Sequence, residues 1–205
     1  MVSTHEFDLL WGALGLPAVP YPLRVPSTGR TFAERARLTA EVYREFASRG
    51  LARGRQLDAR LESLLDLLAR HEVAFDAVGH IGYPVRALAA AAGRSAVLAV
   101  LAGGELWLTA TDPGALAGEI LGVFPAGTPG SLPAPAADRR LAGGQIGADD
   151  GRRGSTVVTW FDTPRGRYLV APGTGELTPT DDADLARRVA SLLDNPASNI
   201  HTARM

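Results

Sequence analysis

The 205-residue chain has neither cysteine nor lysine, and all 21 of its basic residues are arginine. Without cysteine there is no disulfide and no thiolate metal site. Without lysine there is no Schiff-base amine and no cation for a phosphate-binding P-loop. We ascribe the exclusive use of arginine to a GC-rich coding bias. Formal net charge is only −1, so the chain exerts no long-range pull on a polyanion, and nucleic acid is not an expected partner. No apolar run approaches bilayer-spanning length, which excludes membrane insertion by a helix. Met1 to Glu6 lacks a cationic region and an apolar stretch, so it does not read as a secretory leader, and a soluble cytoplasmic protein is expected. What is present, 46% hydrophobic and 21% charged residues, is the composition of a globular domain.

Local signals place helices first and strands afterwards. Ser3-x-x-Glu6 is a capping box, followed by Phe7, Leu10, Trp11 and Leu14 at helical spacing, with Gly15 and Pro17 as the stop. Thr31-x-x-Glu34 opens a second helix that runs to Gly50, and Asp58 caps a third whose stripe is Leu61, Leu64, Leu65 and Leu68. From Val73 the pattern turns to strands, Val73–Ile81, Pro84–Ala91, Ser95–Leu101 and Glu105–Thr111. Asp112-Pro113 then starts a helix carrying Leu116, Ile120 and Leu121. Residues 126–142 read as a proline-rich linker, and residues 195–205 as a flexible tail.

The segment from Gly143 to Val170 is a hairpin signature. Val157, Thr159 and Phe161 alternate with Val158 and Trp160, Thr163-Pro164-Arg165-Gly166 supplies the turn, and Arg167–Val170 returns. The glycines at 143, 144 and 147 are expected to mark a bulged strand entry. The phrase Gly104-Glu105-Leu106, a strand and a helix through Leu116 and Ile120 recurs as Gly175-Glu176-Leu177 and a helix through Leu185 and Val189. This repeat predicts one α+β domain over residues 1–194: a mainly antiparallel central sheet flanked by helices, built from pseudo-twofold halves of about 1–125 and 143–194.

No catalytic constellation stands out. His5, His71, His80 and His201 lack a second ligand at metal-binding spacing, Gly143–Gly147 lacks the residues of a phosphate loop, and no G-x-S-x-G occurs. An enzymatic or small-molecule reading would have to gather His80, Asp76 and Asp162 in one pocket. The arginine pairs Arg139/Arg140, Arg152/Arg153 and Arg165/Arg167 read as solvated turn charges or as a surface for acidic groups on a protein. Trp107, Trp160, Phe161 and Tyr168 sit on strands and read as core. Trp160 and Phe161 must face opposite sides, so one could meet a partner. The apolar turn from Val78 to Tyr83 is a candidate interface loop.

In order and spacing, GQIG, VTWFDTPRGRYLV, the opening FDLLW and PLRVPS segments, and the blocks around Leu64, Arg86 and Ala96 resemble the EspG family of ESX secretion-associated proteins. The resemblance implies a non-catalytic, cofactor-free cytosolic chaperone of type VII secretion. Its partner would be a helical PE/PPE-type or related ESX substrate, and a homodimer is compatible with it. It further implies that Gly79, His80, Ile81 and Tyr83 form the substrate-contacting turn. The C-terminal helix, with Leu185 and Arg188, would belong to the half that supplies the rest of the binding surface, to which the residue reading above adds Trp160, Arg165 and Arg167 as candidates. Members of that family carry a longer helical insertion before the GQIG block, so the second half of this chain is expected to be shortened.

Overall fold

The computed structural model describes residues 1–132, 134, 140–149 and 157–194. Arg139, Arg152, Arg153, His201 and the tail expected at 195–205 lie outside the described residues.

The expected caps form. Helix α1, Thr4–Ala13, begins at Ser3, whose hydroxyl accepts from the Glu6 N–H while the Glu6 carboxylate accepts from the Ser3 N–H. Glu6 is buried and is also held by Arg49, at 3.0 Å. Helix α2, Phe32–Ser48, is capped by Thr31, but only half of the box closes, because Glu34 accepts from the Arg30 N–H instead. Asp58 accepts from the N–H groups of Arg60 and Leu61 at the start of α3, Ala59–Ala69. A small hairpin, β2 (Ala52–Arg53) and β3 (Gln56–Leu57), separates α2 from α3. Its polar sequence gave no strand signal.

One nine-stranded antiparallel sheet forms the centre. The first half contributes β4 (Val73–His80), β5 (Pro84–Ala92), β6 (Ser95–Ala102) and β7 (Glu105–Thr111), with the short β1 (Val2–Ser3) on the outer edge of β7. The second half contributes β8 (Ala142–Asp149), β9 (Val158–Thr163), β10 (Gly166–Val170) and β11 (Leu177–Pro179). The order β7-β6-β5-β4-β8-β9-β10-β11 mirrors itself about the β4–β8 seam. Helix α4, Leu116–Gly122, follows β7 after one 3-10 turn at Pro113–Ala115, and α5, Asp182–Asp194, follows β11. The spacing that carries Leu116 to Leu185 and Ile120 to Val189 also carries Ala77 to Ile146, and those two residues pair across the seam. The pseudo-twofold axis therefore passes between them. An axis normal to a sheet leaves each face on its own side, which is why α4 and α5 lie on one face and touch each other.

Strand β8 corrects one expectation. It pairs without interruption to β4 on one side and to β9 on the other, so its glycines mark no bulge. They mark close approach. A Cβ on Gly143 would sit 3.0 Å from the Trp160 carbonyl, and one on Gly144 would sit 3.0 Å from the Val78 carbonyl. Gly79, opposite Gly144, is tighter still, since a Cβ there would meet Phe124 Cε1 at 2.5 Å and the Gly143 carbonyl at 2.8 Å. Gly79→Ala is therefore expected to cost about 1–3 kcal/mol of unfolding free energy by overpacking, read by urea denaturation.

Candidate functional site

The two faces of the sheet are covered unequally. On one face α4 and α5 bury Phe75, Ala77, Ala87, Ala89, Ile146, Trp160 and Leu169 across both halves. On the other face α1, α2 and α3 bury Ala74, Leu88, Ala90, Val97, Ala99 and Leu106. That second cluster stops at the seam and includes no residue of β8, β9 or β10. By the pseudo-twofold, the helix layer that precedes β4 should have a counterpart preceding β8. The described part of the chain there, Pro125–Leu132, is instead a proline-rich strap. Its bridge at Pro129 to Arg167 and the hydrogen bond from the Tyr168 hydroxyl to the Ser131 carbonyl lay it along β10. Gly130 fits this path because the Tyr168 ring occupies the place of a Cβ, at 2.1 Å.

The face left open by this asymmetry can be read row by row. His80, Gly143, Phe161 and Tyr168 align across the strands, the last two buried beneath Arg140 and the strap, and Val78, Gln145, Thr159 and Val170 form the next, more open row. Asp76 and Gly147 begin a third. Arg140 stacks on Phe161 with its guanidinium carbon 4.5 Å from the ring centre. Val78 and Val157, both facing this side, are 37% and 39% exposed. At the sheet end beside the first row lie the Ile81–Tyr83 turn, the Pro164–Arg165 turn and the strap. Tyr83, Leu132 and Leu141 leave large apolar surfaces exposed there. Ile81 and Arg167 line one hollow of about 370 Å³ with Pro125, Thr128, Leu141 and Asp162.

The candidate residues thus separate into three groups. Gly79, His80, Ile81, Tyr83 and Arg165 gather at one end of the sheet. Arg188 is exposed on α5, on the opposite face, where it pairs with Asp184. Trp160, Arg167 and Leu185 are only 1%, 2% and 1% exposed, which corrects the expectation that they present themselves to a partner. Trp160 packs edge-on to Phe124 and under the Arg167 guanidinium, and Leu185 points inward from α5. Trp107, by contrast, was expected in the core and is 40% exposed. Its strand lies towards the outer edge of the sheet, and on that face the short α4 packs chiefly over β4, β5 and β6.

Arg167 is the most constrained polar group of this region. Its Nε and Nη2 form a fork on Asp162, at 2.7 and 2.9 Å. Nη1 donates to Asp182, and Nη2 also donates to the Pro125 carbonyl at 2.6 Å. Asp182 in turn accepts from the Gly127 N–H. One guanidinium therefore ties β9, β10, the strap and the start of α5 together. The signal for it was in the hairpin register: a turn at Pro164–Arg165 sets Arg167 opposite Asp162.

Asp76 is the other unusual charge. Burial raises its carboxyl above the ordinary range, the nearby Asp149 raises it further, and a hydrogen bond from its own backbone N–H offsets part of this. The ionised form is thus disfavoured in the fold relative to the unfolded chain. Asp76 costs nothing when protonated at low pH, and stability falls as pH rises through its folded-state value. Asp76→Asn should melt higher than the parent near pH 7, and the gap should close as pH falls toward about 4. The pH series of melting curves checks the sign. His80, Asp76 and Asp162 do not converge, because Asp162 faces α5 and is engaged by Arg167 while the other two face the opposite way. Among the described residues no three His, Asp or Glu side chains gather as a metal site, and no helix is long and apolar enough to cross a membrane.

Comparison with known proteins gives a consistent family. The EspG family profile matches residues 3–136 and 132–191. The Mycobacterium tuberculosis type VII secretion system chaperone EspG5, solved in complex with the PE25–PPE41 dimer, superposes with a TM-score of 0.69 over 96% of each chain at 14% sequence identity. Little of that solved chain therefore lacks a counterpart here. No curated protein sequence matches the chain.

Proposed function

The chain belongs to the EspG family, and on that premise we propose that it is a cytoplasmic chaperone of type VII secretion. In this reading it binds a helical PE/PPE-type substrate and keeps it soluble by covering an apolar surface, with no covalent chemistry. The observation that carries the reading is that, among the described residues, no helix covers this face of β8, β9 and β10. Three helices bury the first half of this face as far as the seam, whereas Val78 at the seam and Val157 beyond it stay in water. A helical partner laid across β8, β9 and β10 would complete the pattern already present in the first half and remove that apolar area from water. The exposed Tyr83, Leu132 and Leu141 at the adjoining sheet end extend the same surface. The hollow beside Ile81 would accept a side chain from the partner's tip.

Co-expression tests this directly. The full chain is produced with PE/PPE-type pairs encoded near its gene, and with the PE25–PPE41 dimer as a reference. A soluble complex that co-elutes on size exclusion is the expected result with a near-encoded pair. If no pair binds and each precipitates equally with or without the chain, the chaperone reading is wrong.

A further inference from the structure

Asp76 stands on the uncovered half-face, in register between Leu88 of β5 and Gly147 of β8. Its carboxylate leans over the backbone of Gly147, where a Cβ would lie only 2.8 Å from Oδ2. The missing side chain of that glycine makes the room. Among the described residues no side chain donates a hydrogen bond or an ion pair to this carboxylate. Buried or half-buried acids elsewhere are served by arginines: Glu6 by Arg49, Asp8 by Arg35 and Asp162 by Arg167. Among the described residues, Asp149 adds a like charge to Asp76, and the His71 Nε2 lies 4.0 Å from Asp149. One row on from Asp76, Arg86 of β5 stands opposite Val78, and Arg140 stacks on Phe161 in the row beside the Ile81–Tyr83 turn. Among the described residues the face therefore carries the Asp76 carboxylate in one row and its cations in the rows toward the Ile81–Tyr83 turn.

We propose that Asp76 receives an arginine or lysine from the docked helical partner, and that this pairing selects among partners and fixes which way round they lie. The inference rests on the chaperone reading above and adds the charge the partner must carry. Val78 and Val157 flank Asp76 on the same face. A helix covering them would exclude water, which strengthens a charge pair formed beneath it. A partner with a carboxylate at the same place would set like charges together in a dry contact, and that repulsion is the means of discrimination.

The test uses the full chain and one near-encoded PE/PPE-type pair that binds it, with affinities measured by calorimetry. Asp76→Asn should weaken the complex roughly 10- to 100-fold while melting no lower than the parent, since it removes a charge without altering shape. Asp76→Arg should abolish binding, and Arg→Glu or Lys→Glu at one position of the partner's tip should restore it. Affinity for Asp76→Asn within twofold of the parent overturns the proposal while leaving the chaperone reading intact. Failure of every pair to bind the unaltered chain overturns both.

Discussion

Replacing Arg167 by alanine costs about 3–5 kcal/mol of unfolding free energy, the range for removing one partner of a buried ion pair. The midpoint of thermal unfolding should fall by roughly 10 °C or more in a chain of this size. The arginine side chain is 3% exposed and Asp162 15%, so both are largely out of water, whereas Asp182 at 52% is screened and adds little. Alanine leaves Asp162 without its fork, removes the donor to the Pro125 carbonyl, and exposes the Trp160 ring face that the guanidinium covers at 4.4 Å. Lysine keeps the charge but cannot make a planar fork, so Arg167→Lys should recover only part of the loss. The double variant Arg167→Met with Asp162→Asn should be more stable than Arg167→Ala alone, because no buried charge is then left unpaired. Urea denaturation of the four proteins checks the order. An Arg167→Ala protein as stable as the parent would show that the strap and α5 do not depend on the clasp.

Val78→Gln combined with Val157→Gln weakens the partner complex by roughly 100-fold or more, because docking would then bury two side-chain amides at an apolar contact. The same pair of changes should alter stability by about 1 kcal/mol or less, since both positions already face water. Titration calorimetry against a near-encoded pair, alongside melting curves, separates the two effects. A matching double change at Arg187 and Arg188, on the outer side of α5, should leave binding unaltered. Full binding by the valine double variant together with loss in the α5 variant would move the interface to the opposite face.

Much of this architecture was legible because caps and alternation are local. The caps at Ser3 and Asp58, the four strands from Val73 and the alternation of Trp160 with Phe161 each follow from a few consecutive residues. The duplication was legible as a repeated phrase, and the sheet order mirrors it. Which face lacks its helices could not be read the same way. It depends on where the chain between Phe124 and Ala142 runs, and that is a property of topology. Arg167 shows the same limit at one residue. In sequence it is half of a basic pair beside a turn, while in the fold its strand points it at α5 and Arg165 stays outside. Asp76 stood out only as a possible pocket acid. Its importance comes from a carboxylate that, among the described residues, no side chain hydrogen-bonds or ion-pairs, which no spacing rule reports.

The seam at β4 and β8 has a further consequence for how the molecule moves. Gly143, Gly144 and Gly147 deprive the central strand of side chains, so the halves are joined there mainly by main-chain hydrogen bonds, with α4 against α5 as a brace on one side only. The middle of the sheet, usually its most protected part, is here a crease between two leaves. Amide exchange across β8 should run ahead of exchange in β5 and β6, where both faces are packed. A partner lying across the crease would slow β8 most of all, acting on the open side as a splint that the chain does not supply for itself.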